Sequence, residues 1–476
     1  MSLKKQTIAG LKWSFIQQFS VQIINFSVQI FLARLLMPEM FGLIAMVIIL
    51  ISIGQLLIDG GMTSSLIRTN QPTQVDYSTV FIINFLTSIF IYIGVYKIAP
   101  YMALFYNQEV LVDIIRILAL TFVIRALAAV HVAKLTKEMN FKLQMQVQVP
   151  STLISGGVGV YLASKGYEVW SLVWMNIIQA IAFTLLTWWR ANWKPTFDFS
   201  WERFKYHFNF GYKLTIAGLI DTIFNDIYKI VIGKYYTATQ LGYFHQAEQL
   251  RLFPVSQIST VVDKVTYPLF SSISNEDNLK NSYKITMQLL LFVTVPLMLS
   301  LILVAEEVFF VLLGDKWLSA VYIFQVLAIA SIFRPVSTYN LNILKVKGRS
   351  DIFLKLEIFK KIVGILFLFL GLNFGFHALV WSLLAFSFFS YIINMFVSGK
   401  LINYTMKNQL KDSSLFFLIG LGVYMSLFFL KKNLEGFIQN DLIVIFFYIG
   451  FFYILNYFII FLFNRDIYKF LLTLKK

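Results

Sequence analysis

The chain has 476 residues, of which 58% are hydrophobic and 13% charged, and it carries a formal net charge of +16 with no cysteine. Soluble domains are nearer about a quarter charged, so this composition excludes a water-soluble globular fold. The missing thiols exclude disulfides, thiol catalysis and cysteine-held metal or iron–sulfur centres, and basic cytoplasmic loops account for the charge better than nucleic acid does.

In chain order, about fourteen apolar segments are predicted to cross a bilayer, each near the roughly 20 residues that the hydrocarbon core demands. They lie at 12–33, 41–60, 79–99, 110–132, 147–164, 169–188, 211–233, 245–270, 286–305, 318–337, 357–374, 377–398, 413–430 and 440–463. Lys4 and Lys5 precede the first. That segment is long and rich in amides, so it reads as a retained span and not as a cleavable leader. Gly156, Gly157 and Gly159 cluster in the fifth segment, which predicts close helix packing there.

Alternate loops differ in charge. One set holds Lys4, Lys5, Arg68, Lys134, Lys137, Lys142, Arg190, Lys194, Arg203, Lys205, Lys280, Lys284, Lys345, Lys347, Arg349, Lys355, Lys400, Lys407, Lys411 and the basic tail of Arg465, Lys469, Lys475 and Lys476. The other holds little beyond Arg34, Lys97, Lys165, Lys234, Lys316, Lys431 and Lys432, an asymmetry of about three to one. The positive-inside bias therefore predicts that both termini are cytoplasmic, in agreement with an even number of spans.

Two stretches 200 residues apart match weakly: NFSVQIFLARLLMPEMFGLI from Asn25 and NDIYKIVIGKYYTATQLGYF from Asn225. Each runs from a span through a short outer turn into the next span. The predicted fold class is thus all-α integral membrane, with two pseudo-symmetric six-helix lobes (1–195 and 196–405) and a C-terminal helix pair (406–476). Repeats of six spans enter from the same side, so they are related by an axis along the membrane normal.

Polar residues fall where lipid cannot satisfy them. Gln18, Gln22, Asn25 and Gln29 share one face of the first span. The seventh span carries Asp221, Asn225, Asp226 and Lys229; the eighth carries Gln246, Glu248, Arg251, Pro254, Asp263 and Lys264. Arg125 and Arg334 are further intramembrane cations. A charge at the centre of a membrane helix costs about 2.5–3.5 kcal/mol on insertion scales, so a wet cavity is the preferred reading. Interhelical hydrogen bonding, a structural ion pair and end-of-helix snorkelling are the alternatives. Lys229 can pair directly with Asp226 at i,i+3. The cations suit a phosphate or pyrophosphate, and the amides suit sugar hydroxyls.

Phosphate-cradling and HExxH motifs are absent, and the four histidines lack ligand spacing. Neither a cofactor nor a metal is expected. Glu306, Glu307 and Asp315, the nearest approach to a catalytic acidic cluster, read as a solvated outer turn.

The runs GYFHQAEQLRLFPVSQISTVVDKVTYPLFSSIS from Gly242 and LNILKVKGRSDIFLKLEIFKK from Leu341 resemble the Wzx-type polysaccharide and O-antigen flippases. FLARLLMPEMFGLIAM and the DGG at Asp59 do so too. These flippases belong to the multidrug/oligosaccharidyl-lipid/polysaccharide exporter superfamily. The resemblance covers about residues 1–400. It implies a V-shaped bundle working by alternating access, in which a polyprenyl-pyrophosphate-linked oligosaccharide of undecaprenyl type crosses a bacterial inner membrane without covalent chemistry. Membrane lipid, a coupling cation (H+ or Na+) and glycan polymerase machinery are the partners this reading admits. Carried onto this chain, the cavity residues implied are Gln22, Asn25, Gln29, Asp59, Asp226, Lys229, Arg251 and Lys264, with Asp59, Asp221 and Asp226 as the ion-coupling candidates. A cation-coupled drug antiporter on the same fold is the alternative. A glycan polymerase or ligase would need a larger outer loop.

Overall fold

The computed structural model describes residues 3–434 and 440–463; the side chains of 1–9, 11, 260, 261, 263 and 264 lie outside the description. The expectations placed on Lys4, Lys5, Asp263, Lys264 and the basic tail from Arg465 therefore fall outside the described residues. Seventeen α-helices and one short 3-10 helix, Asp315–Ala320, account for the described elements. In the first half these are α1 (Leu3–Leu35), α2 (Pro38–Asp59), α3 (Met62–Arg68), α4 (Gln74–Tyr106), α5 (Leu111–Leu118), α6 (Leu120–Lys137), α7 (Phe141–Ser164), α8 (Glu168–Arg190) and α9 (Trp201–Tyr235). The rest are α10 (Ala238–Ser271), α11 (Glu276–Leu303), α12 (Ala305–Leu313), α13 (Val321–Val346), α14 (Ser350–Asn373), α15 (Phe376–Leu401), α16 (Met406–Asn433) and α17 (Asp441–Phe463).

The fourteen predicted spans each fall on a long helix, except that the fourth is shared by α5 and α6. Nine helical stretches among the described residues are long and apolar enough to cross a membrane on composition alone. Those that fall short include α9 and α10, because they carry the charges and amides discussed above. Local chemistry sets the ends. Pro38 opens α2 and Gly60, at φ 54°, closes it. Thr73 and Asp76 form a reciprocal capping box that starts α4. The predicted breaker Pro254 sits inside α10, which runs on through Pro268.

Packing divides the chain into two compact units, Met1–Gly242 and Tyr243–Lys476. In the first, α7 lies against α1 and α8, and α9 lies against α2, α3 and α4. The glycine cluster of α7 acts as its sequence suggests. A Cβ at Gly156 would sit 2.4 Å from Val28 of α1, and one at Gly159 would sit 3.0 Å from Met175 of α8, whereas Gly157 faces open space. In the second unit, α13 and α14 pack on α15, α11 on α13 and α16, and α17 on α12 and α16. Tyr283, fully buried there, lies within hydrogen-bond reach of Asn340 and, at 2.9 Å, of the Ser398 hydroxyl.

Candidate functional site

The two helical hairpins of the sequence repeat have the same construction. α1 passes to α2 through Leu36 and Met37, and α9 passes to α10 through Tyr236 and Thr237. The matched glycines pack reciprocally at these turns. A Cβ at Gly42 would lie 1.8 Å from the Ala238 carbonyl oxygen, and one at Gly242 would lie 1.9 Å from that of Pro38. Only glycine allows this approach of backbone to backbone. At the opposite end of α2, Gly60 and Gly61 meet Gly211 of α9 in the same way, with built Cβ distances of 2.2–2.4 Å to carbonyl oxygens.

On the polar face of α1, Gln18 and Asn25 are exposed and Gln22 and Gln29 half-buried. On α9, Asp221 and Asn225 are exposed. Lys229 Nζ donates to Asp226 Oδ1 at 2.8 Å, and both side chains are largely covered. This is the i,i+3 pair the spacing allows. Arg251 on α10 donates from Nη1 to Ser331 Oγ at 2.9 Å and lies 3.6 Å from Glu248 Oε1. Ser331 passes its own proton back to the Leu327 carbonyl at 2.8 Å, which leaves its oxygen lone pairs free to accept from the guanidinium. Arg334, one turn further along α13, is exposed. Arg125 on α6 is half-buried, and no carboxylate or acceptor pairs with it among the described residues. Asp59, in the last turn of α2, is half-buried. Glu307 is drawn into an ion pair with Lys431 at 2.7 Å, whereas its neighbour Glu306 stays exposed. No cluster of metal-ligating side chains occurs among the described residues.

One polar constellation has no counterpart in the sequence reading. His207, in the first turns of α9, is fully buried between α3 and α4. Its Nε2 lies 3.2 Å from Asp76 Oδ1, and its Nδ1 lies 2.9 Å from Ser65 Oγ. The carboxylate can only accept, so Nε2 carries the proton and Ser65 donates to Nδ1. Burial pushes the His207 pKa below its ordinary value, which keeps the ring neutral. Arg203 Nε stands 3.6 Å from the same carboxylate. Ser65 is 2% exposed and His207 0%, so no substrate can reach this relay and its role is to hold α9 against α3 and α4. The Thr73–Asp76 capping box was the sequence signal available; the residues it recruits are more than a hundred positions away.

The family model described as "Polysaccharide biosynthesis protein" matches residues 31–322. The chain belongs to this family. Among its relatives is the teichuronic acid biosynthesis protein TuaB of Bacillus subtilis, 28% identical over 74% of this chain and 73% of that protein. The lipopolysaccharide biosynthesis protein WzxC of Escherichia coli is 23% identical over 76% and 74%. In three dimensions the family member superposes on the lipid II flippase MurJ in its inward closed conformation with a TM-score of 0.76, at 14% identity, covering 95% of this chain and 99% of that one. An inward-facing multidrug MATE transporter of the same superfamily gives a TM-score of 0.64, covering 81% and 95%. The fold is the one shared by these exporters, and the chain is a multi-pass membrane protein of the polysaccharide biosynthesis family.

Proposed function

We propose that this protein flips a polyprenyl-pyrophosphate-linked oligosaccharide across a bacterial inner membrane by alternating access, with both termini in the cytoplasm and no covalent chemistry. One observation carries the reading: amides and carboxylates stay exposed inside stretches that cross the membrane. Gln18 and Asn25 on α1, with Asn225 on α9, are exposed amides that hydrocarbon cannot satisfy. Water or a hydroxyl-rich ligand satisfies them, so these faces line the path of the glycan head while the prenyl tail remains in lipid. The cations that are candidates to meet the pyrophosphate are Arg125, Lys229, Arg251, Lys264 and Arg334. Asp226 and Asp221, with Asp59 as a third candidate, are the residues through which H+ or Na+ would couple to transport. The repeat supports lobes of 1–195 and 196–405 followed by the pair 406–476.

The names of the relatives support a surface polysaccharide as the product. A drug antiporter would instead favour an acidic, aromatic pocket, and the cations of α9 and α10 oppose it. In a host lacking the gene, Lys229→Ala or Arg251→Ala is expected to abolish surface glycan at unchanged levels of membrane-inserted protein. Normal glycan in both variants would remove the cationic site from the proposal.

A further inference from the structure

The first unit carries a basic pocket apart from the polar faces of α1 and α9. It lies where α6 ends, α7 begins and α8 ends. Its volume is about 240 Å³, and its lining includes His131, Lys134, Asn140, Arg190, Asn192 and Trp193. Two cations face one carboxylate, Glu138, whose distance to Lys134 is a loose 3.9 Å. Arg190 has no carboxylate partner among the described residues; its guanidinium rests 4.8 Å over the Trp189 ring. Asn140 spends its carbonyl oxygen on the Leu143 N–H at 3.2 Å and keeps its amide protons for another acceptor. The positive end of α7 opens beside it. His131, 1% exposed, sits at the back of the pocket. Its Nε2 faces the Trp193 carbonyl at 3.1 Å and therefore carries the proton. The cations and amide donors ask for an anion.

The surroundings say where that anion comes from. Trp189 is 73% exposed, and Trp188 is partly exposed with Nε1 donating to the Leu127 carbonyl at 2.9 Å. Phe197 and Trp201 follow, also exposed. Tryptophans gather at the headgroup level of a bilayer, and basic pockets between membrane helices on the cytoplasmic side bind anionic headgroups. We infer that this pocket holds the phosphodiester of an anionic phospholipid of the phosphatidylglycerol type, with Lys134, Arg190 and the Asn140 and Asn192 amides as its donors. The cytoplasmic placement rests on the orientation proposed above; the headgroup site itself needs no assumption about flipping, so its failure leaves the flippase reading standing.

The purified full-length protein in detergent is mixed with phosphatidylglycerol, phosphatidylethanolamine or glycerol 1-phosphate, and retained adducts are read by native mass spectrometry. Phosphatidylglycerol is expected to be retained over the other two. Retention should fall about fivefold for each cation removed in Lys134→Ala and Arg190→Gln. Arg349→Gln, which removes an exposed cation on another loop, should change nothing. An unfolding temperature within the range of the unsubstituted protein shows that the variants are folded. Equal retention of phosphatidylglycerol by the double variant, or competition by glycerol 1-phosphate at similar concentration, would overturn the proposal, the latter by making the ligand a soluble phosphate.

Discussion

A buried imidazole is costly unless both nitrogens are used. His207 uses both, one toward Asp76 and one toward Ser65. Replacing it with alanine removes one donor from a carboxylate that is 1% exposed, leaves Ser65 without its acceptor and opens a void beside them. The expected loss is about 1–3 kcal/mol, read as a drop in the unfolding temperature of the detergent-solubilised protein. Acid should act through the same residue. Burial holds the folded-state pKa of His207 below the ordinary 6.5, so below that pH the unfolded chain binds a proton that the folded chain resists. Stability is then full above about pH 6.5 and declines as pH falls beneath it. Unfolding temperatures measured between pH 7.5 and 5.5 should slope less in His207→Gln than in the unsubstituted protein; parallel curves would remove His207 as the source.

Between elements, the decisive contacts are made by glycines. α2 meets α10 at one end through Gly42 and Gly242, and meets α9 at the other through Gly60, Gly61 and Gly211. Each neighbour is backbone, which cannot swing aside as a long side chain can. Gly42→Ala must therefore separate α2 from the start of α10. No cysteine is present in the chain, so a single introduced thiol reports on one place. Ala238, now 3% exposed, becomes the reporter as Ala238→Cys. Adding Gly42→Ala to it should raise its labelling by a membrane-impermeant maleimide severalfold in intact cells. An unchanged rate would mean that the outer contact is already open most of the time.

At the scale of the whole chain, charge decides orientation. Reagents that cannot cross the membrane should label Glu109→Cys and Lys165→Cys in intact cells, and should reach Asn70→Cys and Lys345→Cys only after permeabilisation. All four positions are exposed. The reverse pattern would turn the protein over and, with it, the proposed direction of transport. The compact units place α9 with the first six spans because its inner half is held by α2, α3 and α4. The sequence repeat, in contrast, makes α9 the first helix of the second lobe. The compact units record which helices touch, whereas the lobes are a proposal drawn from the repeat.

Apolar segments of span length, an asymmetric set of basic loops and one weak repeat were enough to point to a helical membrane protein and to locate its long helices. Each of these is a property of the chain read locally: a helix must satisfy its own backbone in lipid, and length and hydropathy report that directly. The polar stripe of α1 and the Asp226–Lys229 pair were legible for the same reason, since helical periodicity puts their members side by side. Tertiary structure alone decided the rest. Ser65, Asp76 and His207 converge from three helices, and Gly211 meets Gly61 across 150 residues of sequence. Arg190 and Lys134 come to share a pocket only because α6, α7 and α8 end at one level. Such meetings depend on how helices cross, and that is fixed by side-chain packing over the whole bundle and not by any periodicity within one segment.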